Sequence, residues 1–121
     1  MNTILVALFS IGLSVAAQFT LKAGMSSQSV REVMAGPYNL QTLWTVMLQP
    51  LVLGGFMLYG VGAVVWLGVL SRWDVSKAYP LVGLGFVLTV AVGLLMGEDV
   101  NPTRTVGVLL ICVGVLLVGR S

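Results

Sequence analysis

Apolar residues run along this chain in four long blocks, at about 3–21, 51–71, 78–96 and 103–119, and polar residues collect between them. Each block holds roughly 17–21 residues, which at about 1.5 Å per residue matches the ~30 Å hydrocarbon thickness of a bilayer. The runs are continuous rather than alternating, so they read as helices and not as barrel strands. The predicted fold class is all-α: an integral membrane four-transmembrane-helix bundle, one membrane domain over residues 1–121. Short connections at 72–77 and 97–102 make neighbouring spans antiparallel, and an even number of spans puts both termini on one side.

The connection after the first span is longer. Gly24 to Gln28 is small and polar, Arg31 and Glu32 follow, and Gly36-Pro37 breaks the chain. Asn39 then caps a short helix expected over 39–49, in which Leu40, Leu43, Trp44, Met47 and Leu48 form one apolar stripe, with Pro50 ending it. A single apolar stripe of this kind suits a helix lying in the membrane interface. The competing expectation is an extension of the second span, kinked at Pro50.

Within the first span, Ser10, Ser14, Gln18 and Lys22 recur at every fourth position. On a helix they climb one face with a slow drift, rising roughly 18 Å. Ser10 and Ser14 suit close helix packing, and Lys22 at the end of the span can snorkel to the interface. Gln18 and Lys22 together make a second expectation: a cation and an amide one turn apart suit an anionic headgroup such as a phosphate.

Only 8% of the residues are charged and 58% are hydrophobic, whereas a soluble domain carries about a quarter of its residues as charges. Six basic and four acidic side chains give a net charge of +2, too few for a nucleic-acid footprint. Cys112 stands alone in an apolar run and the chain has no His, so no disulfide, metal site or cofactor is expected. The first 25 residues lack a basic start and the polar ladder continues through them, so they read as a retained span rather than a cleaved signal. Glu32, Asp74, Glu98 and Asp99 all fall in connections or at helix ends. No nucleophile–base pair or phosphate loop appears, so neither catalytic residues nor an enzyme activity is expected.

Arg72, Lys77 and Arg120 lie on the side of the termini, and Lys22, Arg31 and Arg104 lie on the other. Three against three fixes no orientation. The tie raises the hypothesis of an antiparallel dimer, an inverted repeat supplied by two copies, which would bring Lys22 and Lys77 to the same membrane face. Accessibility labelling of cysteines introduced at both termini would dispose of it by showing a single orientation.

Three further groups are candidates. Tyr59 and Trp66 share a face of the second span with Gly55 and Gly62 nearby, either as an ordinary small-residue groove or as the wall of a substrate pocket. Ser76-Lys77-Ala78-Tyr79-Pro80 opens the third span, with Pro80 expected in its first turn and free N–H groups beside Lys77 offering an anion site. Gly107, Ile111 and Gly114 on the fourth span are a candidate dimer seam.

These pieces resemble the small multidrug resistance branch of the drug/metabolite transporter superfamily, in four short spans, in Ala78-Tyr79 and in Gly107-x-Leu109-Leu110-Ile111-x-x-Gly114-Val115. The glutamate those exporters carry in the first helix falls at Ser14, and their third-helix tryptophan falls at Val82. The chain is more similar to the four-helix, EamA-type branch that includes the aminoarabinose–phosphoundecaprenol flippase subunits. That likeness lies in Leu13-Ser14-Val15-Ala16-x-Gln18-x-x-x-Lys22, Trp66-Leu67 with Val69-Leu70, Ala78-Tyr79-Pro80 and Glu98-x-Val100-x-Pro102, and covers nearly all but 26–50. It implies a bacterial inner-membrane, multi-pass transporter that flips a polyprenyl-phosphate-linked sugar or related lipid. It also implies a dimer, with itself or with a paralogue, and no nucleic-acid partner. In that picture Ser14, Gln18, Lys22, Tyr59, Trp66, Lys77, Tyr79 and Pro80 contact the substrate. The alternative the wider resemblance implies is export of small cations or metabolites.

Overall fold

The computed structural model describes residues 2–121, and the described residues form helices and connecting turns without strands. Helix α1 (Thr3–Met25) is followed by two short helices, α2 (Gln28–Ala35) and α3 (Leu40–Leu48), and then by α4 (Pro50–Leu70). The third hydrophobic block is built of α5 (Val75–Ala78), a 3-10 turn (Tyr79–Val82) and α6 (Gly83–Leu95), and the chain closes with α7 (Pro102–Arg120). Thr3–Met25, Pro50–Leu70, Val75–Leu95 and Pro102–Arg120 are long and apolar enough to cross a membrane.

Several boundaries differ from the sequence reading for local reasons. The first span runs to Met25 because Lys22 continues the helix, and Ser26 ends it by donating from its backbone N–H to Lys22 and Ala23 carbonyls. Helix α2 was not expected; Val30 is its buried residue, and Val30, Val33 and Met34 make a short apolar stripe at i, i+3 and i+4. Helix α3 is capped as anticipated. The Asn39 side chain accepts from the Thr42 N–H while the Thr42 hydroxyl accepts from the Asn39 N–H, a reciprocal capping box.

Between α3 and α4 stands the single residue Gln49, extended at ψ 127°, whose Oε1 accepts from the N–H groups of Leu51 and Val52. Pro50 occupies the first turn of α4, where a missing N–H costs little.

The third span begins at Val75 rather than 78, so Pro80 lies inside it and not in its opening turn. Pro80 has no N–H to donate to the preceding turn, and the backbone tightens to 3-10 geometry there. The N–H groups expected to be free beside Pro80 are taken: those of Lys77 and Ala78 donate to the Asp74 carbonyl and that of Tyr79 to the Val75 carbonyl.

Helix α1 lies antiparallel along α4, and small residues set how closely they approach. Gly24 meets Val52, Ala17 meets Gly55, and Ser10 meets Gly62, seven-residue steps on α1 answered by steps of three and seven on α4. The buried Ser10 hydroxyl donates to the Gly62 carbonyl at 2.7 Å. On its other flank α1 packs against α6, where Gly85 lies against Ile11 and Val15. Helix α7 packs on α6 and the 3-10 turn, with Val115 and Ile111 against Gly83.

The core is thin: Ile11, Val15, Leu81 and Val115 form one cluster, and Ala7, Val69 and Ala78 another, with Trp66 and Trp73 touching both. Much of the remaining apolar surface is exposed, including Val106, Leu109, Leu110, Val113, Leu116 and Leu117 along α7. A chain whose solvent is lipid can leave such side chains outside without the cost water would exact.

Candidate functional site

A cavity of about 620 Å³ opens between α4 and the third span, with α1 as its floor. The polar ladder makes that floor, because positions 10, 14 and 18 turn only about 40° per step and point between the two flanking helices. Ser10, Ser14 and Gln18 all line it. Ser14 is the midpoint of α1, which sets the cavity at the middle of the span.

Helix α4 contributes Tyr59, Gly62 and Trp66, and the third span contributes Tyr79, Val82, Gly85, Phe86 and Thr89. Close packing at two glycines brings these walls to the floor: Gly62 sits over Ser10 and Leu13, and Gly85 over Ile11. The lining is mainly apolar and aromatic, with a few hydroxyls and one amide, and carries no ionised side chain.

Of the residues singled out from sequence, Ser14, Gln18, Tyr59, Trp66 and Tyr79 therefore share one cavity. Lys22 is exposed one turn beyond Gln18, about 12 Å along α1 from Ser14, at the end of the span beside the α3–α4 joint. Lys77 lies elsewhere. Its Nζ stands 4.6 Å from the centroid of the Trp73 ring, and neither it nor Pro80 lines the cavity. Lys77 is near the start of α1, since Ala78 packs with Ala7, so the two lysines occupy opposite ends of one chain.

On α7, Ile111 is engaged within the chain against Gly83, whereas Gly107 and Gly114 have no atom within 4 Å of where a Cβ would stand.

Sequence reasoning named Val82 only as the place of the exporters' tryptophan, and passed over Phe86 and Thr89. With Tyr79 they fall at steps of three and four residues, a helical stripe that the many surrounding Val, Leu and Gly residues obscured. A second, shallow notch of about 230 Å³ lies between α2 and α3, lined by Glu32, Asn39, Gln41 and Thr42 among others.

Comparison with known proteins gives relatives of one kind. A probable 4-amino-4-deoxy-L-arabinose-phosphoundecaprenol flippase subunit ArnF from Sodalis glossinidius is 36% identical over 119 residues, covering 93% of this chain and 86% of the relative. The ArnF subunit of Proteus mirabilis is 29% identical over 109 residues, 87% of this chain and 82% of that relative. A probable ArnE subunit from Pseudomonas savastanoi pv. phaseolicola is 50% identical over 63 residues, 51% of this chain and 55% of the relative. In matches of that shorter kind the chain spans little more than half the relative's length. No family model matches the chain, and no solved structure does.

Proposed function

Because the chain belongs to the family of 4-amino-4-deoxy-L-arabinose-phosphoundecaprenol flippase subunits, we propose that it moves a polyprenyl-phosphate-linked sugar across the inner membrane as one half of a dimer. It is a multi-pass protein of that membrane, with four helices fit to span it. One observation carries the reading: a mid-span cavity without charge is joined by the polar ladder to an exposed cation one turn beyond it, Lys22. A headgroup of sugar and phosphate has that same division into an uncharged ring and an anion.

In this reading Lys22 pairs with the phosphate and Gln18 hydrogen-bonds to it, while Tyr59, Trp66 and Tyr79 face the sugar. The polyprenyl tail stays in lipid, leaving through the open side of the cavity between α4 and α6. Helix α3 lies in the interface and guides the headgroup in. Supporting this, Tyr38, Leu40, Leu43, Trp44 and Leu48 are exposed, and the α3–α4 joint stands beside the end of α1 that bears Lys22. The partner is a second four-helix subunit, a paralogue or another copy, meeting this one along the Gly107–Gly114 edge of α7. Proton-coupled antiport of small cations fits less well, because the lining has no acid to exchange a proton and Ser14 occupies the midpoint of α1.

Reconstitution of the subunit with its partner in liposomes carrying the lipid tests the site. Lys22→Ala is expected to cut translocation at least tenfold while dimerisation persists, and Lys22→Arg to retain most of it. Full translocation by Lys22→Ala would overturn the assignment.

A further inference from the structure

The cavity runs along α1 from Ser10 to Gln18, and the polar ladder leads to a cation past only one of these ends. Past the other end the cation comes from a different element. Ala78 packs with Ala7, one turn before Ser10, so Lys77 stands just beyond the Ser10 end as Lys22 stands beyond the Gln18 end. Counted along α1 from Ala7 to Lys22, the two levels are about 22 Å apart, most of the hydrocarbon thickness.

The two lysines are held differently. Lys22 is exposed, whereas Lys77 is half-buried with its Nζ 4.6 Å from the centroid of the Trp73 ring. That ring packs against both core clusters, so it fixes where the ammonium sits. A ring face satisfies one side of an ammonium and leaves N–H donors on the other. Arg72, Asp74 and Arg120, the other charged side chains at this end, are all exposed.

An anion is costly in the uncharged middle of a span. A ligand whose anion is received at Lys22 therefore needs a second cation where it leaves. We propose that Lys77, backed by the Trp73 ring, is a second phosphate site, at the opposite end of the cavity from Lys22. The ring holds the ammonium in place, and the free N–H donors make charge-assisted hydrogen bonds to the phosphate oxygens. The role of this site in translocation rests on the reading of Lys22 as the first site, but binding there is tested separately.

Hexadecyl phosphate is titrated into the purified subunit in dodecylmaltoside, following tryptophan fluorescence, with hexadecanol as the uncharged control. The part of the response that disappears in Trp73→Phe reports on Lys77. Lys77→Met keeps the stem and a favourable sulfur contact with the ring while removing the charge. It is expected to weaken the Trp73-reported binding at least tenfold, with Lys77→Arg close to wild type and Lys22→Ala unaltered. Inorganic phosphate that displaces the probe assigns the site to free phosphate, and displacement by phosphatidylglycerol alone assigns it to a lipid headgroup. A response without a Trp73 part, an equal response to hexadecanol, or wild-type affinity in Lys77→Met overturns the site. In proteoliposomes Lys77→Met is expected to cut lipid translocation at least tenfold. Full translocation there overturns the role of Lys77 in transport and leaves the Lys22 experiment standing.

Discussion

Gly24 and Gly62 both sit on the α1–α4 seam, yet replacing each with alanine is expected to have opposite effects. A Cβ at Gly24 would lie 2.7 Å from Val52 Cγ2 and 2.8 Å from both Val52 N and Gln49 Oε1. Val52 is only 2% exposed, and its N–H donates to Gln49 Oε1 at 3.0 Å, one of the two bonds that cap α4. The new methyl therefore meets backbone and a cap rather than a side chain free to swing aside. Overpacking of this kind costs about 1–3 kcal/mol and a lost cap about 1 kcal/mol, against a gain of up to ~1 kcal/mol from replacing a helical glycine.

At Gly62 the nearest atoms are Leu13 Cβ at 3.4 Å and Ser10 O at 3.5 Å, ordinary contact distances, so the propensity gain there is largely unopposed. The propensity gain is common to both, so the two variants should differ by about 2–4 kcal/mol, roughly a 30- to 900-fold difference in the unfolding equilibrium. Titration of sodium dodecyl sulfate into dodecylmaltoside, followed by far-ultraviolet circular dichroism, measures this directly. If Gly24→Ala unfolds at the same detergent fraction as Gly62→Ala, the close approach of α1 to the start of α4 is wrong.

Other positions give independent checks. Gly97 has φ +88° and closes α6, its N–H donating to the Leu94 carbonyl and that of Glu98 to the Gly93 carbonyl; Gly97→Ala is expected to lose about 1–2 kcal/mol in the same titration, and Gly97→Asn much less. Ser10→Ala removes the bond to Gly62 and is expected to cost about 0.6 kcal/mol, at most ~1.7, with no change in helical content. Gly114→Leu points into open space, so the protomer should stay folded while light scattering in detergent shows the dimer falling to monomer; an intact dimer would remove Gly114 from the seam.

Much of the fold was legible because membrane spans announce themselves by length and composition, and four long apolar runs leave few ways to be folded. The site was legible where polar residues stand out against lipid-like neighbours, as Gln18 does on α1 and Tyr59 and Trp66 do on α4. The start of the third span was read too late because Lys77 beside Pro80 looks like the opening of a helix. The contact of Lys77 with Trp73 and the earlier start at Val75 depend on how the chain turns after α4. Phe86 and Val82 were invisible for the converse reason: in a span rich in Val and Leu, an apolar residue facing a cavity and one facing lipid look alike. Helix α2 was missed because its apolar stripe, Val30, Val33 and Met34, spans little more than one turn, too short to stand out in a polar connection.

Among the described residues, the Ser10–Gly62 hydrogen bond is the side-chain bond that ties one span to another; the other side-chain bonds join residues no more than five apart. Elsewhere the spans meet through mostly apolar surfaces, set close by Gly24 and Gly55. The consequence is mechanical. Ser10 and Gly62 pin α1 to α4 at one level, four residues from the midpoint of α1 and two from that of α4. A tilt of α4 about that point moves its two ends in opposite senses, with no side-chain hydrogen bond between the spans broken along the way.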